Sequence, residues 1–183
     1  VLRSTLHVLR SVMDDRPSIL FINQHYWPDC AATALMLTDL AEYLAEQGVD
    51  VHVLCSRGHY LSGAMEVPAE ETHNGVHIHR VRATAFGRET TLGRLTDYAS
   101  FFASTLRRVL AGPAYDYIIP LTTPPLLPLV GAIARRVRGQ AYGIWSMDLH
   151  PDAEVAAGMF AEGGLPARML HALNDAGYRH ADF

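Results

Sequence analysis

Two apolar runs with a helical pattern between them constrain this chain most. Ser18–Asn23 contains Ile19, Leu20, Phe21 and Ile22 in unbroken succession, and Val51–Cys55, apolar but for His52, reads as the second strand. A strand that is apolar without alternation is one buried on both faces, as in parallel sheets covered by helices. Between the runs, Leu35, Leu37, Leu40, Ala41, Leu44 and Ala45 fall on one helical face, and Gly48 supplies the stop. Strand, helix and strand make a βαβ unit, for which a right-handed crossover is expected.

The alternation continues along the chain. Asn74-Gly75 opens a strand over Val76–Val81, in which Val76, Ile78 and Arg80 alternate with His77, His79 and Val81. Leu95–Leu110 reads as a helix, with Phe101, Phe102, Leu106 and Val109 toward the core. Tyr117–Leu121 is the next strand, and a helix follows from about Leu126 to Val137. A short buried strand ending at Trp145, a helical start at Ala153–Gly158 and a helix over Pro166–Gly177 complete the pattern. Arg57–His73 and Ala83–Gly93 read as loops. Residues 1–16 place Leu2, Leu6, Leu9 and Met13 at helical spacing, a leader helix that Pro17 ends. The expected class is α/β: a Rossmann-like, doubly wound, mostly parallel sheet flanked by helices, occupying residues 17–183.

Composition narrows the function. The formal charge of −4 argues against a nucleic-acid binder. All 15 basic residues are arginine, which removes lysine Schiff-base chemistry and a Walker-type phosphate lysine. Cys30 and Cys55 form no CxxC pair, and a buried free thiol at Cys55 suits a reducing cytoplasm. Ile118–Ala134 is apolar, but Pro120, Pro124, Pro125 and Pro128 interrupt it as a membrane span.

In open parallel sheets, ligands sit beyond the carboxyl ends of the strands. Three such ends carry polar chemistry here. After the first strand, Asp29-Cys-Ala-Ala-Thr33 contains no glycine, unlike a GxGxxG loop, and the second strand ends Cys55-Ser56-Arg57 without an acid for a ribose. A dinucleotide cofactor is therefore not expected, although Ala31, Ala32 and Thr33 are small enough for close approach of a ligand. Asp29 reads either as a ligand contact or as a helix N-cap. Thr122-Thr123-Pro124-Pro125 either touches a ligand or forms a rigid turn, with Pro125 in the first helical turn. Ser146-Met-Asp148-Leu-His150-Pro-Asp152 is the densest group. Asp152 reads as the cap of the next helix and Asp148 as functional, unless Asp148 only accepts backbone N–H bonds in the turn.

Other polar clusters read as structural. His73, His77 and His79 lack a clear set of metal ligands and read as exposed strand histidines, so no metal is expected. Arg107-Arg108 and Arg135-Arg136-Arg138 read as solvated helix ends, with contact to anionic lipid as the weaker alternative.

Several segments together resemble the N-terminal domain of family-four retaining glycosyltransferases of the GT-B type, which have two Rossmann-like halves. They are Tyr26-Trp27-Pro28, Leu40-Ala41-Glu42-Tyr43-Leu44-Ala45 with Gly48 and Val51, Thr123-Pro124-Pro125, and Trp145-Ser-Met-Asp148-Leu-His-Pro151-Asp152. The last is similar to a segment of subgroups that build polysaccharides and lipid-linked glycans. Two positions depart from the pattern: Ala31-Ala32 stand where many relatives have Gly-Gly, and Met147 where many have histidine.

The resemblance implies an acceptor-side domain moving a sugar from a nucleotide-sugar donor to a glycan or lipid-linked acceptor. Asp148 would be the catalytic residue, with Asp29, Ala31, Ala32, Thr33, Thr123 and His150 contacting donor or acceptor and no cofactor or metal. The donor would be held mainly by a C-terminal half absent from these 183 residues, leaving this domain without turnover alone. A cytoplasmic location, peripheral to the inner membrane face for a lipid-linked acceptor, goes with that reading. A non-catalytic Rossmann-like module that binds nucleotide or glycan is the alternative, and a sugar-nucleotide epimerase a third.

Overall fold

The computed structural model describes residues 16–57, 67–86 and 90–183; the expected leader helix lies, but for its last residue, outside them. The strands are β1 (Ser18–Ile22), β2 (Asp50–Ser56), β3 (Glu70–His73), β4 (Val76–Val81) and β5 (Tyr117–Pro120). The helices are α1 (Ala32–Glu46), α2 (Thr91–Ala111), α3 (Pro128–Arg138), α4 (Asp152–Ala156) and α5 (Leu165–Tyr178). The sheet order is β3-β4-β2-β1-β5, parallel throughout except for the β3–β4 hairpin. The α/β expectation is met.

Both faces are covered, as the unbroken apolar run of β1 requires. On one face, Leu37 and Ala41 of α1 meet Phe21, Val51, Val53, Cys55, Val76 and Ile78. On the other, Leu20, Ile22, Leu54 and Ile118 pack with Phe101 and Val109 of α2 and Val130 and Ala134 of α3. Burial pushes the Cys55 thiol up to about 12 and keeps it protonated. Leu35 departs from the expected core face. The buried stripe of α1 runs Ala34, Leu37, Ala41, and Leu35 lies one helical step (about 100°) from Ala34, so it is 55% exposed.

The strand expected before Trp145 is present in reduced form. Tyr142 and Trp145 make parallel bridges to Ile118 and Leu121. On its other side, Asp182 N donates to Tyr142 O at 2.9 Å and Ile144 N to Phe183 O at 2.9 Å. Tyr142 is fully buried and donates from its hydroxyl to Gly177 O at 2.8 Å. A Cβ on Gly131 of α3 would overlap the Tyr142 ring, so glycine there permits close contact.

β3 replaces the end of the loop expected over Arg57–His73. Its polar sequence, Glu-Glu-Thr-His, hides an edge strand, and Asn74 and Gly75 both take positive φ (47° and 82°) in the two-residue hairpin turn. The arginine clusters are also more engaged than solvated ends would be. Arg138 Nη1 donates to the carbonyls of Val109, Leu110 and Gly112, closing the C-terminal end of α2. Arg135 pairs with Asp182 at 2.7 Å, and Arg108 with Glu70 at 3.3 Å.

The histidines form a ladder across β2 and β4 that the expectation of exposed strand residues missed. His52 stacks on His77 and His79, and its Nδ1 lies 2.9 Å from His79 Nε2. His79 is half-buried, with Nδ1 against Glu70 and Arg108 beside it. Burial holds both His52 and His79 below the ordinary value of 6.5, while Asp50 and Glu70 act in the opposite direction. The unfolded chain thus takes up these protons first. The stability they contribute is complete above pH 6.5 and is lost as pH falls below it. The urea midpoint is expected to drop between pH 7 and pH 5, and His79→Gln to flatten that drop.

Candidate functional site

Each parallel strand hands its chain to a loop at the same sheet edge, and three of these loops are joined there by hydrogen bonds. Asn23, the residue directly after β1, is fully buried; its Nδ2 donates to His25 O at 2.6 Å and to Thr33 Oγ1 at 3.3 Å. The next residue crosses to the neighbouring strand: Gln24 N donates to Thr123 O at 3.0 Å, and Ser56 N to Gln24 O at 3.0 Å. Beyond β5, Thr123 Oγ1 donates to Asp148 Oδ2 at 3.3 Å. The peptides Trp27–Pro28, Thr123–Pro124 and His150–Pro151 are cis.

Thr122 is the hub of this edge. It is buried, and its Oγ1 accepts from both Met147 N and Asp148 N at 2.9 Å. This hydroxyl, rather than the Asp148 carboxylate, accepts the backbone N–H bonds of the turn, and the Asp148 side chain is half exposed. Thr122→Val would strip two N–H groups of their acceptor, at about 1–3 kcal/mol for each left unsatisfied. The expected result is a lower urea midpoint for Thr122→Val and a near-normal one for Thr122→Ser.

The structure brings Ala31, Ala32, Thr33, Thr123 and Asp148 to one end of the sheet. Ala31 is buried and Ala32 exposed, with Ala31 as the N-cap residue of α1 and no side-chain cap. Asp29 is therefore not the cap. It is buried, its carboxylate 2.7 Å from His25 Nδ1, and it braces the loop from inside. Pro128, not Pro125, occupies the first turn of α3. Asp152 is the first residue of α4 and makes no cap hydrogen bond; Pro151 precedes it. His150 faces Glu154, with Nδ1 to Oε1 at 2.5 Å, and its Nε2 lies 4.0 Å from Asp148 Oδ2.

Three supporting residues, His25, Glu154 and Arg80, escaped the sequence reading, and Thr122, named there only within the Thr122–Pro125 segment, proves to be the one that holds the Asp148 turn. Arg80 had a legible signal, a charge at an inward position of the Val76-Ile78-Arg80 alternation. Its side chain is 2% exposed; it pairs with Glu71 at 2.7 Å and donates to Trp27 O at 3.0 Å. The Trp27 ring stacks on His73 at 3.7 Å. The β3–β4 hairpin thus grips the loop after β1 from behind.

A site of this kind, polar loops at the carboxyl end of a doubly wound sheet, fits many chemistries, and the fold alone does not choose. The family model described as "Glycosyl transferase 4-like domain" matches residues 31–183. The chain belongs to this family. The glycosyltransferase domain also superposes on sucrose-phosphate synthase from Thermosynechococcus elongatus with a TM-score of 0.63 at 17% identity. That match covers 91% of this chain and 41% of the synthase, so the domain spans less than half of that protein's length. At this identity the likeness establishes the fold, one half of the GT-B type. A comparison with curated proteins found no match. Among the described residues, no helix is long and apolar enough to cross a membrane.

Proposed function

We propose that this glycosyltransferase domain is the acceptor-side half of a retaining enzyme that moves a sugar from a nucleotide-sugar donor to a hydroxyl of a glycan or lipid-linked acceptor. The observation that carries the reading is the joining of the loops after β1, after β5 and at Ser146–Asp148 into one wall, through Gln24 N to Thr123 O and Thr123 Oγ1 to Asp148 Oδ2. Loops from separate strands that are tied together hold a ligand in a fixed pose, which is what transfer to a chosen hydroxyl needs.

In such a transfer the bond between the donor sugar and its diphosphate breaks as the acceptor hydroxyl bonds to the same carbon, through a state with oxocarbenium character, and the departing diphosphate takes up the hydroxyl's proton. Asp148 orients that hydroxyl, and Ala31, Ala32, Thr33 and Thr123 form the wall against which the reacting groups sit. Stabilising the departing diphosphate falls mainly to a second, C-terminal half. Residues 17–183 are on this reading one folding unit of a two-unit enzyme, without turnover alone. That the match spans 41% of the synthase supports this reading.

Calorimetry with nucleoside diphosphates and short glycans tests the reading. Glycan binding with weak nucleotide binding is expected. Tight nucleotide binding would favour a nucleotide-binding module, and turnover of a nucleotide sugar by these residues unaided would overturn the division of labour. Cytoplasmic, peripheral contact with an anionic membrane belongs to the lipid-linked version of the acceptor, and the absence of co-flotation with anionic liposomes would remove it.

A further inference from the structure

At the edge of the wall lies a carboxylate–histidine–carboxylate array that the reading above does not use as a unit. Glu154 stands one helical turn from His150 and holds its Nδ1 at 2.5 Å. An ionised carboxylate only accepts, so Nδ1 is the nitrogen that carries a proton toward Glu154, and in the neutral ring Nε2 is then left with its lone pair as the acceptor. The other Glu154 oxygen, Oε2, is buried with no partner among the described residues. A carboxylate with one buried oxygen unsatisfied is costly to keep, and its hydrogen bond among the described residues is the one to His150. The backbone is fixed as well, since Asn174 Nδ2 of α5 donates to His150 O at 2.8 Å.

His150 Nε2 and Asp148 Oδ2 lie 4.0 Å apart, too far to bond each other. Both are acceptors, side by side, and the Asp148 side chain is half exposed. Two acceptors at this spacing suit two neighbouring hydroxyls of a pyranose ring, one donating to each at about 2.8 Å.

We propose that Asp148 and His150 form a site for a vicinal diol of a sugar, and that Glu154 is the positioning residue that sets the His150 tautomer. This rests on the sugar-transfer reading and adds to it the chemical class recognised at this edge of the wall. Asp148 and His150 touch the sugar, whereas Glu154 acts only through His150. No proton transfer is required, because both acceptors are already charged or lone-pair-bearing.

Two NMR measurements on this chain test it. Side-chain nitrogen spectra at pH 8 are expected to give the Nδ1–H form of His150 in the wild type and in Glu154→Gln, whose amide oxygen still accepts. In Glu154→Ala that form is expected to be lost, with the amide spectrum of the core unchanged. Titration with methyl α-D-gluco-, galacto- and mannopyranosides is expected to shift the His150 ring and Asp148 amide signals for at least one sugar. The dissociation constant is expected to rise about tenfold in Glu154→Ala and for a monodeoxy analogue lacking one diol hydroxyl. Retention of the tautomer in Glu154→Ala overturns the positioning role. Shifts at Thr33 and Thr123 with none at His150 overturn the diol site while leaving the sugar-transfer reading standing. Absence of shifts anywhere with all three sugars overturns both.

Discussion

Replacing Asp148 by asparagine in the complete transferase is expected to lower kcat about a hundredfold, the scale set by misplacing a reacting group by roughly 1 Å. The substitution keeps the shape and leaves an oxygen to accept from Thr123 Oγ1, so the loop stays as it is. On the proposed reading, the lost element is the negative charge that would fix the direction of the acceptor hydroxyl. Because the side chain is half exposed and the turn is held by Thr122, the melting temperature is expected to stay within the range of surface substitutions. Steady-state kinetics with a thermal melt separates the two effects. Wild-type kcat in Asp148→Asn would remove the residue from the reaction.

Tyr142→Ala is expected to destabilise the domain by about 3–5 kcal/mol, as for other large aromatic side chains removed from a core. The ring is fully buried in the cluster shared by β1, α2 and α3, and its hydroxyl bonds Gly177 O in α5. Tyr142→Phe keeps the volume and drops only that bond, for about 1 kcal/mol. Urea denaturation reads both differences as shifts in midpoint. Gly131→Ala supplies a further check, since its new Cβ would overlap the ring. In the Tyr142→Ala background the same substitution meets open space, so a double-mutant cycle is expected to give a coupling of about 1–3 kcal/mol. Additive effects would mean that α3 is not seated on Tyr142.

The two substitutions probe different layers of one design. Tyr142 and Trp145 lie on the short segment beside β5, and that segment delivers Ser146–Asp148 to the wall. A loss of packing at Tyr142 therefore reaches the site through the chain, whereas Asp148→Asn leaves the packing intact. A stability loss with activity preserved per folded molecule is expected for Tyr142→Phe. The reverse is expected for Asp148→Asn.

The sequence by itself determined the frame. The unbroken apolar run at Ile19–Ile22 demands cover on both faces, Val51–Cys55 repeats it with only His52 interrupting, and the helical stripe between them supplies cover, so a parallel α/β sheet follows from local patterning. Placement of Ala31, Thr123 and Asp148 at strand ends followed from the same pattern. Tertiary structure alone decided which polar groups brace and which face outward. Asp29 turned inward to His25, Thr122 took the backbone bonds of the Asp148 turn, and Arg80 reached across 53 residues to Trp27 O. Periodicity reports which side of an element is wet or dry; it carries no information on which distant donor will find a buried acceptor, because that pairing exists only after the strands have been laid side by side.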